Sequence, residues 1–99
     1  MGASKTTQYS IDEIKSANIA RALAHPARIR ILSLLKQEVF TRNIDLVKDL
    51  QLVKSTVNSH LNKLKDADLI ELEFHSNCYW IRTKKDVIDR IPSYFDQIN

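Results

Sequence analysis

The spacing of apolar residues changes near residue 70, and this change restricts the possible folds. In VKSTVNSHLNKLK, residues 53–65, Val53, Val57, Leu61 and Leu64 fall into one narrow stripe at helical periodicity. In IELEF, residues 70–74, apolar and acidic residues alternate strictly, which is the pattern of a strand with one buried face. The sequence therefore predicts an amphipathic helix that is followed directly by a β-strand.

The strand is predicted to be the first half of a hairpin. HSNC, residues 75–78, is polar and typical of a turn, and YWIRT, residues 79–83, has the composition of a second strand. In the first strand, Ile70, Leu72 and Phe74 are expected on one face. Glu71 and Glu73 are expected on the other, which makes the hairpin acidic on its outer side.

The polar side of the predicted helix 53–65 is unusual in its short side chains. Hydroxyls and amides lie opposite the apolar stripe, and lysines flank them: Ser55, Asn58, Ser59 and Asn62, with Lys54, Lys63 and Lys65. Short side chains allow a partner to approach the backbone closely, and the lysines suit a groove lined by phosphates. An ordinary solvated helix face has a similar composition, so these residues alone leave both interpretations open.

Two helices are predicted in the first third of the chain. YSIDEI, residues 9–14, contains Ser10 as an N-cap and Glu13 three residues later, which together form a capping box. The helix is expected to end near Ala24, because a residue before proline is disfavoured in the helical region and Pro26 suits the start of a new helix. PARIRILSLLKQ then predicts a largely buried second helix.

Two further helices complete the predicted pattern. IDLVKDL, residues 44–50, is expected to be short and capped by Thr41 or Asn43. After the hairpin, Thr83 and Asp86 resemble a capping box for a last helix, which Pro92 should kink or interrupt. The expected core, besides the hairpin, consists of Ile29, Leu32, Leu35, Leu46, Leu50, Val57, Leu61 and Leu64.

Length and composition favour a single intracellular domain. The chain has 99 residues and a formal charge of +3, which permits binding to a polyanion without requiring it. Residues 1–8 are polar and are expected to form a disordered tail before a domain over residues 9–99. Cys78 is the only cysteine, so no disulfide can form within the chain. No apolar run suggests a membrane span, and a cytoplasmic location is expected.

The order of elements and the amino-acid sequences of two segments resemble those of the ArsR/SmtB family of bacterial transcriptional repressors. AHPARIRILSLL, residues 24–35, is similar to the family's second helix. VKSTVNSHLNKLKDADLI, residues 53–70, is similar to its recognition helix and the exit into the wing. The resemblance implies a mainly α fold with a small β-hairpin, a winged helix-turn-helix in the order α1-α2-α3-α4-β-β-α5.

In that family the recognition helix enters the major groove of DNA, which assigns expected roles to residues of this chain. Side chains at the start of the helix, from Lys54 to Ser59, would reach base edges or phosphates. Lys63, Lys65 and Arg82 would contact the DNA backbone. His60 lies beside the apolar stripe and is expected to have a structural role. The expected DNA-binding residues are Lys54, Ser55, Thr56, Asn58, Ser59, Asn62, Lys63, Lys65 and Arg82.

The metal-sensing residues of the family are not matched. Arg42 and Ile44 occupy the positions of a Cys-x-Cys pair on the third helix, and neither side chain binds a soft cation. The last helix offers Asp86, Asp89 and Asp96 but no histidine. We therefore expect no metal and no other cofactor. Cys78 alone cannot form a dithiol sensor, and the sequence identifies no effector.

Two apolar stripes lie near the chain ends and are expected to be buried. Either they pack within one chain or they are buried against a second copy, and the family resemblance favours a symmetric homodimer. The stripes consist of Ile11, Ile14 and Ala17 on the first helix and of Ile88, Ile91, Tyr94, Phe95 and Ile98 on the last.

The sequence favours a homodimeric, sequence-specific DNA-binding regulator, expected to be a repressor at a pseudo-palindromic operator. The alternative is a winged-helix module for protein interaction, which the acidic hairpin and the modest charge would suit. An enzyme is not expected, because no nucleophile and base are recognisably placed. The single glycine, Gly2, also excludes a glycine-rich phosphate loop.

Overall fold

The computed structural model describes residues 8–36 and 40–98, which form a helical domain with a small sheet. Of the tail predicted over residues 1–8, all but Gln8 lies outside the described residues. The described elements are α1 (Ile11–Leu23), α2 (Pro26–Leu35), β1 (Thr41–Arg42), α3 (Asn43–Leu50), α4 (Lys54–Asp66), β2 (Ile70–His75), β3 (Cys78–Thr83), α5 (Lys85–Asp89), α6 (Ile91–Tyr94) and a 3₁₀ turn (Asp96–Ile98). The predicted mainly α chain with a hairpin is confirmed.

The capping box predicted at the start of α1 is present. The Ser10 hydroxyl accepts a hydrogen bond from the Glu13 backbone N–H at 3.0 Å, and Glu13 Oε1 accepts from the Ser10 N–H at 2.8 Å. The predicted break at Pro26 is also present. There His25 precedes the helix, and its Nδ1 accepts from the Ala27 N–H at 3.0 Å, so the imidazole itself caps α2.

The predicted cap of α3 was wrong. Arg42, and neither Thr41 nor Asn43, precedes the helix, because Thr41 pairs with Ile81 in β1 and Asn43 is already the first helical residue. The Asp45 carboxylate accepts from the Arg42 N–H at 3.2 Å and forms an ion pair with its guanidinium at 3.0 Å. This hydrogen bonding lowers the pKa of Asp45. A strand of two residues has no periodicity, so β1 could not be predicted.

The last predicted helix is divided, and its predicted cap was also wrong. Thr83 is the final residue of β3, and Lys84 precedes α5 without a side-chain cap. The Lys84 N–H donates to the Leu69 carbonyl at 2.9 Å, which keeps the chain at the base of the hairpin. The helix then breaks at Arg90, and Pro92 lies in the first turn of α6, so the predicted interruption is confirmed.

The sheet is antiparallel, with strand order β1-β3-β2, and it lies against the helical core. Helix α2 faces that core with Ile31, which is 0% exposed. Ile29 was predicted to be a core residue, but this prediction was wrong because its side chain is 47% exposed. Val53 is also exposed, because it precedes α4, and the stripe begins at Val57. The buried apolar cluster is Ile19, Ala22, Ile31, Leu35, Leu46, Val57, Leu61, Leu64, Leu69, Ile70 and Ile81.

The turn between α3 and α4 requires a left-handed residue, and Gln51 supplies it with φ 55° and ψ 42°. A side chain with a Cβ is strained in this region, whereas glycine adopts it without a steric penalty. The tight turn between α3 and α4 therefore forms without glycine, but the strained conformation of Gln51 lowers the stability of the fold.

Replacing Gln51 by glycine should stabilise the chain by about 0.5–1 kcal/mol, since the relief of left-handed strain exceeds the entropy that glycine loses on folding. Urea unfolding monitored by circular dichroism measures the change. Lys48→Gly is the matched control at an exposed helical position of α3, where glycine should destabilise by about 0.5–1 kcal/mol. Equal destabilisation by both substitutions would contradict the strain at Gln51.

Candidate nucleic-acid interface

Helix α4 is divided into a buried side and an exposed side. Val57, Leu61 and Leu64 are fully buried against the core. On the opposite side, Ser55, Ser59 and Asn62 form an exposed row, because residues spaced by three and four lie on one helix face. Lys54, Lys63 and Lys65 are exposed beside this row, and Thr56 and Asn58 are half-buried at its edges. All the predicted contact residues of α4 thus lie at or beside one surface.

The beginning of α4 is positively polarised. Val53 precedes the helix and provides no side-chain acceptor, and no acidic residue lies in the first turn. The first free backbone N–H groups, together with the exposed Lys54, therefore point outward at the positive end of the helix dipole. This arrangement favours an anion at the helix start, and phosphates commonly bind such ends.

A buried amide connects α3 to both α4 and the hairpin. The Asn43 side chain is 0% exposed, its Nδ2 donates to Asn58 Oδ1 at 3.2 Å, and its Oδ1 accepts from the Tyr79 N–H at 3.2 Å. Asn43 was predicted only as a possible cap of α3, so this role was not predicted. The signal was available, because Asn43, Leu46 and Leu50 have the i, i+3, i+7 spacing of one helix face.

His60 is buried in α4 and bonded within the fold, in agreement with its predicted structural role. Arg28 Nε donates to His60 Nδ1 at 3.1 Å, and the imidazole of His25 lies 4.5 Å from that of His60 between ring centroids. Burial lowers the pKa of His60, and the nearby positive charges of His25, Arg28 and Lys63 lower it further. The contact joins residues far apart in sequence, so no local pattern could reveal it.

Arg82 is separated from the row on α4. It follows Ile81 in β3, and because side chains alternate along a strand it lies on the sheet face opposite the buried Ile81. Its guanidinium forms an ion pair with Glu71 at 2.6 Å and lies 5.7 Å from the centroid of the Phe40 ring. The cross-strand pair therefore neutralises one of the two acidic residues of the hairpin.

The end of the hairpin carries exposed aromatic side chains beside α4. Phe74 was predicted on the buried face, but it is 61% exposed because the hairpin extends beyond the helices. Its ring contacts Tyr79 edge to face, with 5.0 Å between centroids. Tyr79, Leu72, Asn58 and Asn62 line a shallow groove between the hairpin and α4. The groove thus combines apolar and amide groups.

Several of the residues considered for metal or redox sensing have other partners. Arg42 is paired with Asp45, and Asp89 with Lys85 at 3.1 Å. Within residues 8–36 and 40–98, no three or more His, Cys, Asp or Glu side chains are grouped so that they could hold a metal ion. Cys78 is buried, with Sγ 3.7 Å from the His75 carbonyl oxygen, so its thiol packs in the hairpin.

The two terminal stripes are partly packed within the chain. Ile88, Ile91, Tyr94 and Phe95 are half-buried against the core, and the Ser16 hydroxyl donates to the Tyr94 carbonyl at 2.7 Å. Ile14 is half-buried and Ala17 is exposed. Ile11 and Ile98 are 71% and 73% exposed, so an apolar surface remains uncovered along α1 and the C-terminal turn.

Comparison with known proteins identifies relatives. Residues 25–71 match the sequence profile of the bacterial regulatory proteins of the arsR family. An uncharacterised HTH-type transcriptional regulator of Methanocaldococcus jannaschii is 42% identical over 62 residues, which cover 62% of this chain. The aligned region spans 60% of the length of that relative.

Solved structures have the same fold. HlyU from Vibrio cholerae superposes with a TM-score of 0.73 at 19% identity, covering 88% of this chain and 95% of HlyU. A homodimeric winged helix-turn-helix DNA-binding domain from Mycobacterium bovis superposes with a TM-score of 0.70 at 21% identity, covering 85% and 77% of the two chains. In the described part of the chain, no helix is long and apolar enough to span a membrane.

The lowered pKa of His60 predicts a pH-dependent stability. Between the folded pKa and the unfolded value of about 6.5, the unfolded chain binds more protons, so the free energy of unfolding should fall as pH falls below about 6.5. Urea titrations across this range measure the slope. His60→Gln should flatten it, whereas His75→Gln, at the exposed end of β2, should not. An unchanged slope in His60→Gln would show that another group is responsible.

Proposed function

We infer that this chain is a winged helix-turn-helix transcriptional regulator of the arsR type, which binds a pseudo-palindromic operator as a homodimer and represses transcription in the cytoplasm. The observation that carries this proposal is the exposed row of short polar side chains on α4, flanked by lysines. A helix of this kind fits the major groove, where its side chains can reach base edges. No cofactor or effector is part of the proposal.

The residues of α4 would divide between phosphate and base contacts. Lys54 lies at the positively polarised helix start and is proposed to bind a phosphate, as are Lys63 and Lys65. Ser55, Thr56, Ser59 and Asn62 are short enough to bring the helix close to the bases. Arg82 is half-exposed but paired with Glu71, so its contribution to phosphate binding would be smaller than that of the three lysines of α4, none of which forms an ion pair within residues 8–36 and 40–98.

The proposed homodimer uses the apolar surface left uncovered at the chain ends. Ile11, Ala17 and Ile98 are exposed beside the half-buried Ile14 and Phe95, and a two-fold axis would bring these residues against their own copies. Ile88, Ile91 and Tyr94 are half-buried, and they would lie between the interface and the core of their own chain. Two recognition helices held about 34 Å apart would read half-sites one DNA turn apart.

An alternative function is a winged-helix module for protein interaction. The exposed Phe40, Phe74 and Tyr79 favour it, because aromatic side chains are enriched at protein interfaces. Selection of binding sites from random DNA separates the two proposals. Enrichment of a defined sequence supports the regulator, and its absence at physiological salt supports the interaction module.

Lys54→Ala should weaken binding to the selected operator and to unrelated duplexes alike, because a phosphate contact carries no sequence information. The slope of log affinity against log salt should fall by about 1. Fluorescence anisotropy titrations at several salt concentrations measure both quantities.

Lys15→Ala is the matched control for Lys54→Ala, since it removes an exposed lysine from α1, on another helix. This control should retain the wild-type affinity and salt dependence. If Lys54→Ala behaves like Lys15→Ala, the phosphate contact at the start of α4 does not exist.

Phe95→Glu should convert the dimer to monomers, because an unpaired carboxylate would be buried in an apolar interface at a cost of several kcal/mol. Sedimentation at micromolar concentration measures the assembly, and operator affinity should fall with it. Circular dichroism establishes whether the variant remains folded.

Ser93→Glu provides the control for charge, since it introduces the same carboxylate at an exposed position of α6. It should remain dimeric. A wild-type monomer, or a Phe95→Glu variant that remains a dimer with full operator affinity, would contradict the proposed interface.

A further inference from the structure

The hydrogen bonds of Asn43 determine the orientation of a side chain on the proposed DNA-binding surface. Asn43 is completely buried at the start of α3, between Asn58 of α4 and the backbone of Tyr79 in β3. Both distances are 3.2 Å. An amide has one oxygen that accepts and one nitrogen that donates, so the identity of each neighbour decides which end faces it.

The backbone of β3 sets the polarity of this chain of hydrogen bonds. The Tyr79 N–H can only donate, so the Asn43 oxygen must face it. The Asn43 nitrogen then faces Asn58 and donates to it, which requires the Asn58 oxygen to point inward. Reversing the Asn58 amide would place two NH₂ groups against each other and leave a buried donor without an acceptor.

The inward oxygen leaves the Asn58 nitrogen facing outward. No buried side-chain nitrogen or oxygen of the described residues lacks a partner, and no hydrogen bond from Asn58 Nδ2 is present among them. This nitrogen is therefore accessible to solvent. Asn58 also borders the groove between α4 and the hairpin, together with Asn62 and Tyr79.

We propose that Asn58 presents only a hydrogen-bond donor to DNA and selects a base with an acceptor edge, namely guanine through O6 or N7, or thymine through O4. Adenine is disfavoured because its N7 acceptor lies beside the N6 amino group, which would face the donor of Asn58. Asparagine commonly binds adenine through both amide atoms, accepting from N6 and donating to N7. That paired contact is excluded here because the Asn58 oxygen points inward to Asn43, so that only the nitrogen faces outward. The proposal rests on the proposed function and specifies which bases it reads.

Hydrogen exchange tests the amide orientation without DNA. In ¹⁵N-labelled protein, the side-chain NH₂ of Asn43 should exchange slowly with solvent, since it is buried and donates to Asn58. The NH₂ of Asn58 should exchange rapidly. Asn58→Ala identifies the Asn58 resonance by its loss. An Asn58 NH₂ as strongly protected as that of Asn43 would show that it points inward and would overturn the proposal.

Binding-site selection from random duplexes tests the base preference. Asn58→Asp keeps an inward oxygen for Asn43 but presents an outward acceptor, so one position of each half-site should change from guanine or thymine to cytosine or adenine. The preference at that position should change by about tenfold. Asn18→Asp is the control: it makes the same change from amide to carboxylate at an exposed position of α1, where the side chain accepts from Arg21, and should leave that position unchanged.

The outcomes separate the base preference from the proposed function. A wild-type site with adenine at the position that Asn58→Ala relaxes would overturn the base preference alone. The same conclusion follows if neither Asn58→Asp nor Asn58→Ala changes any position. If the wild type enriches no sequence, both the proposed function and the base preference are wrong, whatever the exchange rates are.

Discussion

Helix α4 contributes Val57, Leu61 and Leu64 to the core, and the burial of these side chains determines which surface the chain offers to a partner. Each stabilises the fold by about 1.5–3 kcal/mol, more than the roughly 1 kcal/mol lost because Val53 provides no cap. The helix is therefore held by its buried side and not by its ends. Its positively polarised start can remain exposed, where an anion would be bound most favourably.

Apolar burial places α4 against the core, and hydrogen bonds of buried polar groups then fix its orientation. Hydrophobic contacts are not directional, whereas the buried Asn43 amide requires a donor on one side and an acceptor on the other. It therefore aligns α4 with the hairpin. Arg28 and His60 make a comparable contact on the other flank of α4, so the helix is held by hydrogen bonds on both sides.

The surfaces of the hairpin and of the chain ends carry apolar groups and paired charges in addition to basic residues. The pair of Arg82 with Glu71 reduces the acidity of the hairpin, and Phe74 and Tyr79 provide apolar surface beside α4. In a contact between the hairpin and DNA, these apolar side chains would suit sugars and base faces better than phosphates. The exposed Ile11 and Ile98 leave an apolar surface on α1 and the C-terminal turn.

Local patterns in the sequence determined the types and order of the main elements, the capping box of α1, the break at Pro26, the hairpin and the polar side of α4. These features depend on residues within one or two turns, so spacing alone reveals them. Tertiary structure decided the exposure of Ile29 and Phe74, the strand β1, the starts of α3 and α5, and the contacts of Asn43, Arg28 and Arg82. Each of these depends on a neighbour distant in the chain, or on how far one element extends past another.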